Sequence, residues 1–101
     1  MIGHMSSDDK ELAALRKQID DADRKILDAL KERNNIVKKI GEYKGRNKLP
    51  IHDEERSRDV EKKWISLGNE RGILPVVSTN IVRIVLENSE NIESENLKDR
   101  P

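Results

Sequence analysis

Cysteine is absent from the 101 residues, which excludes disulfides and thiolate metal sites and suits the cytoplasm. Phenylalanine is absent too, and Tyr43 and Trp64 are the only aromatic residues. Leu, Ile and Val must therefore build whatever core exists. At roughly a quarter of the chain they exceed the ~20% level below which disorder becomes the default. With a mean hydropathy of −0.86, a fold is expected, but with a thin core for a lone monomer. No apolar run approaches the ~20 residues of a membrane span, and no signal peptide is visible. Net charge is also missing, since 20 basic and 20 acidic residues cancel; nucleic-acid binding by bulk electrostatics would need a basic excess or stripe. His4 and His52 lie far apart without metal-ligand spacing, so no metal and no cofactor is expected. The length fits one small domain. Gly3-His4-Met5 reads as a cloning scar, which sets residues 1–5 apart, leaves 6–95 as the domain and makes 96–101 a frayed polar tail.

Between Ser7 and Tyr43 there is no proline and only one glycine, Gly41. Ser7 or Asp8 can cap a helix there, with acidic residues in its opening turn. Leu12, Leu15, Ile19, Ala22, Ile26, Ala29, Arg33, Ile36, Ile40 and Tyr43 recur at 3-4 spacing, the buried seam of a long helix. A helix of roughly 35 residues is about 50 Å long at ~1.5 Å per residue. A compact domain of this size has a radius of gyration near ~13 Å, so the rod must lay its seam on a second copy. A homodimer is expected.

Arg33 is the only charge on that seam. A permanently ionised guanidinium among apolar side chains requires an anionic partner, either a carboxylate from another element or a bound anion.

The stretch from Lys44 to Pro50 breaks the pattern with Gly45, Asn47 and Pro50. Its basic residues fit a phosphate patch or, more simply, a solvated loop. Asp53 then reads as an N-cap, followed by Glu54 and Glu55, an apolar stripe of Val60, Trp64 and Leu67 headed by Arg56, and a stop at Gly72. Pro75 fits the first turn of a third helix. The β-branched run after it fails strict alternation, and Val77, Ile81, Ile84, Val85, Asn88 and Ile92 match a helix face instead. Ser89 and Glu93 share one side near its end.

On a straight helix Arg33 and Lys44 fall about three turns apart at ~100° per residue and share a face. Arg16 lies roughly 25 Å before Arg33 at ~1.5 Å per residue, too far for two side chains to meet. Arg16 joins Arg33 at one site only if it comes from another protomer. Arg16 of one chain gathered with Arg33, Lys44 and Arg56 of the other makes a cationic pocket sized for a small polyanion. Plainer readings exist for each: Arg16 as a solvated charge, Arg56 as a salt-bridge partner of Asp53 or Asp59, Lys44 as a complement to a helix C-terminus, and Arg33 as a register-setting polar residue in a helical dimer.

The whole pattern narrows this choice. Leu12-Ala13-Ala14-Leu15-Arg16-Lys17-Gln18-Ile19-Asp20, Asp23, Leu27 and Lys31-Glu32-Arg33 closely resemble the first helix of the all-helical (AroQ-type) chorismate mutases. So do Ile40-Gly41-Glu42-Tyr43-Lys44 and Pro50-Ile51-His52-Asp53-Glu54-Glu55-Arg56. The resemblance covers about residues 8–95 without a gap. It implies an all-α fold, three helices per protomer in an intertwined homodimer with two shared active sites. The implied reaction is the Claisen rearrangement of chorismate to prephenate in aromatic amino-acid biosynthesis, with no covalent intermediate, metal or redox step.

By the same resemblance, Arg33 and the second copy's Arg16 bind the side-chain carboxylate. Lys44 reaches the ether oxygen and that same carboxylate. Arg56 and Ser89 meet the ring carboxylate, and Asp53 lies near the ring hydroxyl. Two positions depart from the common bacterial pattern. Ser57 replaces a Glu that accepts from the hydroxyl, and Glu93 replaces a Gln that donates to the ether oxygen, although fungal members place a Glu there. Isochorismate-pyruvate lyase, on a similar helical fold, and a catalytically silent dimerisation module are the competing functions. Nearly complete retention of the cationic set argues against the silent module.

Overall fold

The computed structural model describes the backbone of residues 7–98 and the side chains of residues 9–95. The expected cap by the Ser7 or Asp8 side chain and the scar at residues 1–5 lie outside them. The described residues form three helices: α1 (Ser7–Arg46), α2 (Glu54–Glu70) and α3 (Pro75–Lys98). The chain forms two compact units, one through Arg33 and one from Asn34, with the boundary inside α1.

Among the described residues, the first unit is helix alone. Every described side chain from Asp9 to Ala29 is exposed, including the seam, where Ile19 and Ile26 are each 59% exposed. None of the unit's described residues covers them. Helix propensity from Ala, Leu, Lys and Glu carries the element locally, and an Asp21–Arg24 ion pair at 2.7 Å adds one turn-to-turn contact.

The second unit packs α2 against α3. Asp53 caps α2 as expected: its Oδ1 accepts from the Arg56 backbone N–H at 3.0 Å. At the other end Ile73 N–H donates to Gly68 O at 2.8 Å, while Gly72 takes φ +74, a left-handed backbone that glycine adopts freely. Pro75 opens α3, where its missing N–H costs nothing. Val60, Val82 and Val85 form the core, with Val37 buried on the last part of α1. Asn88 Nδ2 donates to Asn34 Oδ1 at 2.9 Å, tying α3 to α1.

Two expectations need correction. The break placed at Lys44 to Pro50 begins later, because α1 continues through Arg46. Asn47 N–H returns to Tyr43 O at 3.0 Å, Leu49 N–H returns to Lys44 O at 2.9 Å, and Lys48 takes φ 55. Lys44 is therefore held on a helix rather than in a loop. On α3 the buried face is Ser78, Val82, Val85, Ser89 and Glu93. Of the stripe expected there, Val85 is buried and Ile92 half-buried, but Val77, Ile81, Ile84 and Asn88 are exposed. The observed face carries three polar side chains, Ser78, Ser89 and Glu93, into the interior. At its end α3 stays helical through Lys98, so three residues of the expected tail are helical in backbone, and residues 99–101 lie outside those described.

Candidate active site

Glu93 is a buried carboxylate, 7% exposed, near the end of the α3 face that also buries Val82, Val85 and Ser89. Such a group requires a compensating charge, and Lys44 supplies it: Nζ lies 2.6 Å from Glu93 Oε1. The same ammonium donates to the Ile51 backbone carbonyl at 2.8 Å. Glu93 Oε1 itself accepts no aligned hydrogen bond, so its contact with Lys44 is one of charge and proximity. A buried acceptor with unfilled hydrogen-bonding capacity beside a cation is a place where a polar ligand atom can enter. One turn before Glu93, Ser89 is also buried, and its hydroxyl donates to Val85 O at 2.9 Å.

The start of α2 borders this pair through the connection from α1. Asp53 sits at the cap, and the half-buried Ser57 donates its backbone N–H to Asp53 O at 3.0 Å. The Arg56 side chain is exposed, and neither Asp53 nor Asp59 is ion-paired with it among the described residues. The second unit thus brings Lys44 and Glu93 into contact, places Ser89 one turn away, and joins Asp53, Arg56 and Ser57 in the first turn of α2. Arg16 and Arg33 belong to the first unit, Arg16 exposed and Arg33 half-buried.

Sequence reasoning passed over His52, because it lacked metal-ligand spacing. In the fold it bridges two carboxylates, Nδ1 to Glu90 Oε1 at 2.5 Å and Nε2 to Glu54 Oε2 at 2.7 Å. Glu54 also takes Arg58 Nε at 3.3 Å. Glu90, and after it Glu54, hold the His52 pKa above its ordinary 6.5. His52, and after it Arg58, hold Glu54 below its ordinary 4.5. The available signal was positional: Glu90 precedes Glu93 by one turn of helix, so the two share a face. Among the described residues, no group of three or more His, Asp or Glu side chains is arranged to hold a metal ion.

The profile of a family described as chorismate mutase type II matches residues 15–94. A chorismate mutase of Methanocaldococcus jannaschii is 30% identical over 90 residues, covering 89% of this chain and 91% of that protein. A bifunctional chorismate mutase/prephenate dehydratase of Aquifex aeolicus is 44% identical over 68 residues, 65% of this chain but 19% of its own length. The T-protein of Enterobacter agglomerans is 34% identical over 85 residues, 84% of this chain and 23% of that one. The chain thus spans nearly all of the archaeal protein and about a fifth of the two longer ones.

Proposed function

The chain belongs to the type II chorismate mutase family, and from that premise we propose that it converts chorismate to prephenate in sites shared between two copies. The observation that carries this reading is the Lys44–Glu93 pair: a helix-held ammonium, the donor that an ether oxygen requires, beside a buried carboxyl group. The rearrangement is unimolecular. It needs a site that holds a dicarboxylate in a chair-like conformer and stabilises negative charge on the ether oxygen as the C–O bond breaks.

In this reading the ether oxygen enters between Lys44 and Glu93 and parts them. Lys44 then donates to the ether oxygen, and Glu93 donates to it when protonated. Arg33 and Arg16 of the partner subunit bind the side-chain carboxylate. Arg56 and Ser89 take the ring carboxylate, and Asp53 with Ser57 lies toward the ring hydroxyl. The exposed seam of α1 supports the dimer, since its Leu and Ile residues have no cover within their own unit. Among the described residues, no helix is long and apolar enough to cross a membrane; together with the lack of cysteine this suits a cytoplasmic enzyme.

Incubating the purified protein with chorismate tests the reading. Loss of chorismate absorbance with formation of prephenate is expected, in a particle of twice the chain mass. Inert chorismate, with isochorismate converted to salicylate and pyruvate, would assign the lyase activity instead. No turnover of either compound would leave a non-catalytic helical module.

A further inference from the structure

Ile51 and His52 are adjacent residues of the α1–α2 connection, and each is fastened to a different helix. Ile51 O accepts from Lys44 of α1 at 2.8 Å. His52 reaches Glu90 of α3 at 2.5 Å and Glu54 of α2 at 2.7 Å. Glu90 stands one turn before Glu93, which holds the same Lys44 at 2.6 Å. One short segment thus ties the three helices of the second unit together at the Lys44 ammonium.

We propose that His52 is a positioning residue for this site: as an imidazolium it clamps the α1–α2 connection between Glu54 and Glu90, and so fixes the Ile51 carbonyl that orients Lys44. This rests on the reading that Lys44 acts on the substrate. A neutral imidazole carries one N–H and cannot donate to two carboxylates. Loss of its proton turns one of the two contacts into a lone pair facing a carboxylate. The charged groups around it favour the closed form: Glu54 from α2, with Arg58 behind it, and Glu90 from α3. Lys44 from α1 is engaged on the neighbouring carbonyl, and Glu93 lies one turn further along α3. With the clamp open, Ile51 O no longer competes for the Lys44 ammonium. That ammonium settles on Glu93 and closes the gap that the ether oxygen must enter.

The geometry predicts a kcat effect rather than a KM effect, because the misplaced donor is needed most where charge develops. The test combines a titration of the His52 imidazole by NMR with pH profiles of kcat and KM for the wild type, His52→Arg and His52→Gln. His52 is exposed, so both variants should fold, and matching helical circular dichroism checks this. In the wild type kcat should fall about threefold to tenfold, the worth of one net hydrogen bond, across the imidazole's own midpoint above pH 6.5. KM should change little. His52→Arg, a permanent cation with donors for both carboxylates, should lose that step, and His52→Gln should stay at the lower level throughout. The proposal is overturned if wild type and His52→Arg share one profile, or if the imidazole titrates at or below its ordinary value. Lys44→Gln, alone and with Glu93→Gln to avoid an orphaned buried carboxylate, separates the two claims. Wild-type kcat in both would sink the reading of Lys44 and the clamp with it. Loss of kcat in both, with a shared profile for the His52 proteins, would sink the clamp alone.

Discussion

Gly68 of α2 lies so close to Ser78 of α3 that a Cβ built on Gly68 would collide with the Ser78 hydroxyl, while standing 3.4 Å from the Ser78 Cβ. Both residues are buried, so the two helices meet there with no room to spare. Gly68→Ala gains up to ~1 kcal/mol of helix propensity and costs about 1–3 kcal/mol of overpacking. A net loss of about 1 kcal/mol is expected, which lowers the melting temperature by about 4–8 °C in a domain of this size. The double variant Gly68→Ala/Ser78→Ala removes the colliding oxygen and should recover most of it. Strict additivity of the two changes would show that the hydroxyl is not the obstacle.

The exposed seam of α1 predicts a stability that depends on concentration. Leu12, Leu15, Ile19, Ile26 and Leu27 are all at least 44% exposed, and burying a side chain of this kind is worth about 1.5–3 kcal/mol. If a second copy covers them, the melting temperature should rise with protein concentration and dissociation should coincide with loss of helix. Sedimentation and circular dichroism across a dilution series measure both. A folded monomer at micromolar concentration would refute the shared site.

Much of this was legible in the sequence, because the helices are written in local signals. Asp53, Gly72 and Pro75 mark their ends through capping, left-handed backbone and a fixed φ, none of which needs tertiary context. The helical setting of Arg33 followed from periodicity, whereas Lys44 fell at the expected break. What escaped was set by packing. The Val77–Ile81–Ile84 stripe is as apolar as the buried Val82–Val85 face, and hydrophobicity alone cannot say which side of α3 turns inward. The His52 bridge joins residues 38 positions apart, and periodicity carries no information at that range.

Arg16 and Arg33 provide a test of composition by subunits. Both lie on the one helix α1, too far apart for a single site to gather them from one chain. Arg16→Ala and Arg33→Ala should each lose about 100-fold or more in kcat, the scale of one oriented donor lost at a developing or held charge. Mixed dimers carry one site with both arginines intact. Unfolding and refolding the two inactive proteins together should restore activity toward a quarter of the wild-type level per total site, since half the dimers are mixed and each has one good site. No recovery in verified mixed dimers would place both arginines in the same chain's site. A change in oligomeric state for Arg33→Ala, with turnover kept, would make Arg33 a register residue instead.

The His52–Glu54 contact gives fold stability two pH edges. The His52 pKa is raised by Glu90 and Glu54, so its contribution is whole below its ordinary 6.5 and is lost as pH rises through the higher folded value. The Glu54 pKa is lowered by His52 and Arg58, so its contribution is whole above its ordinary 4.5 and is lost as pH falls through the lower folded value. Between those edges both are present. The melting temperature should therefore be higher between about pH 4.5 and 6.5 than above it, and His52→Gln should remove the alkaline decline. An unchanged decline in that variant would assign it to other groups.

Glu93 presents the sharpest chemical question, because an ether oxygen gaining negative charge requires a donor and an ionised carboxylate can only accept. Its Oε1 is buried with the Lys44 ammonium at 2.6 Å. Glu93 serves the transition state only as a donor, in its protonated form. Glu93→Gln supplies a permanent N–H donor and releases Lys44 from its countercharge. Removing a buried ionic partner can destabilise a fold by about 3–5 kcal/mol, but the Lys44 side chain remains 20% exposed and can turn its charge to water, so the variant should fold. The comparison belongs in the His52→Arg background, where the imidazole no longer titrates. There Glu93→Gln should raise kcat, by up to about 100-fold if one oriented donor is restored. The measurement is kcat from chorismate consumption at a series of pH values, with melting temperatures checked at each. Superimposable profiles for Glu and Gln at this position would mean that the side chain does not face the ether oxygen, and that Lys44 stabilises the breaking bond without it.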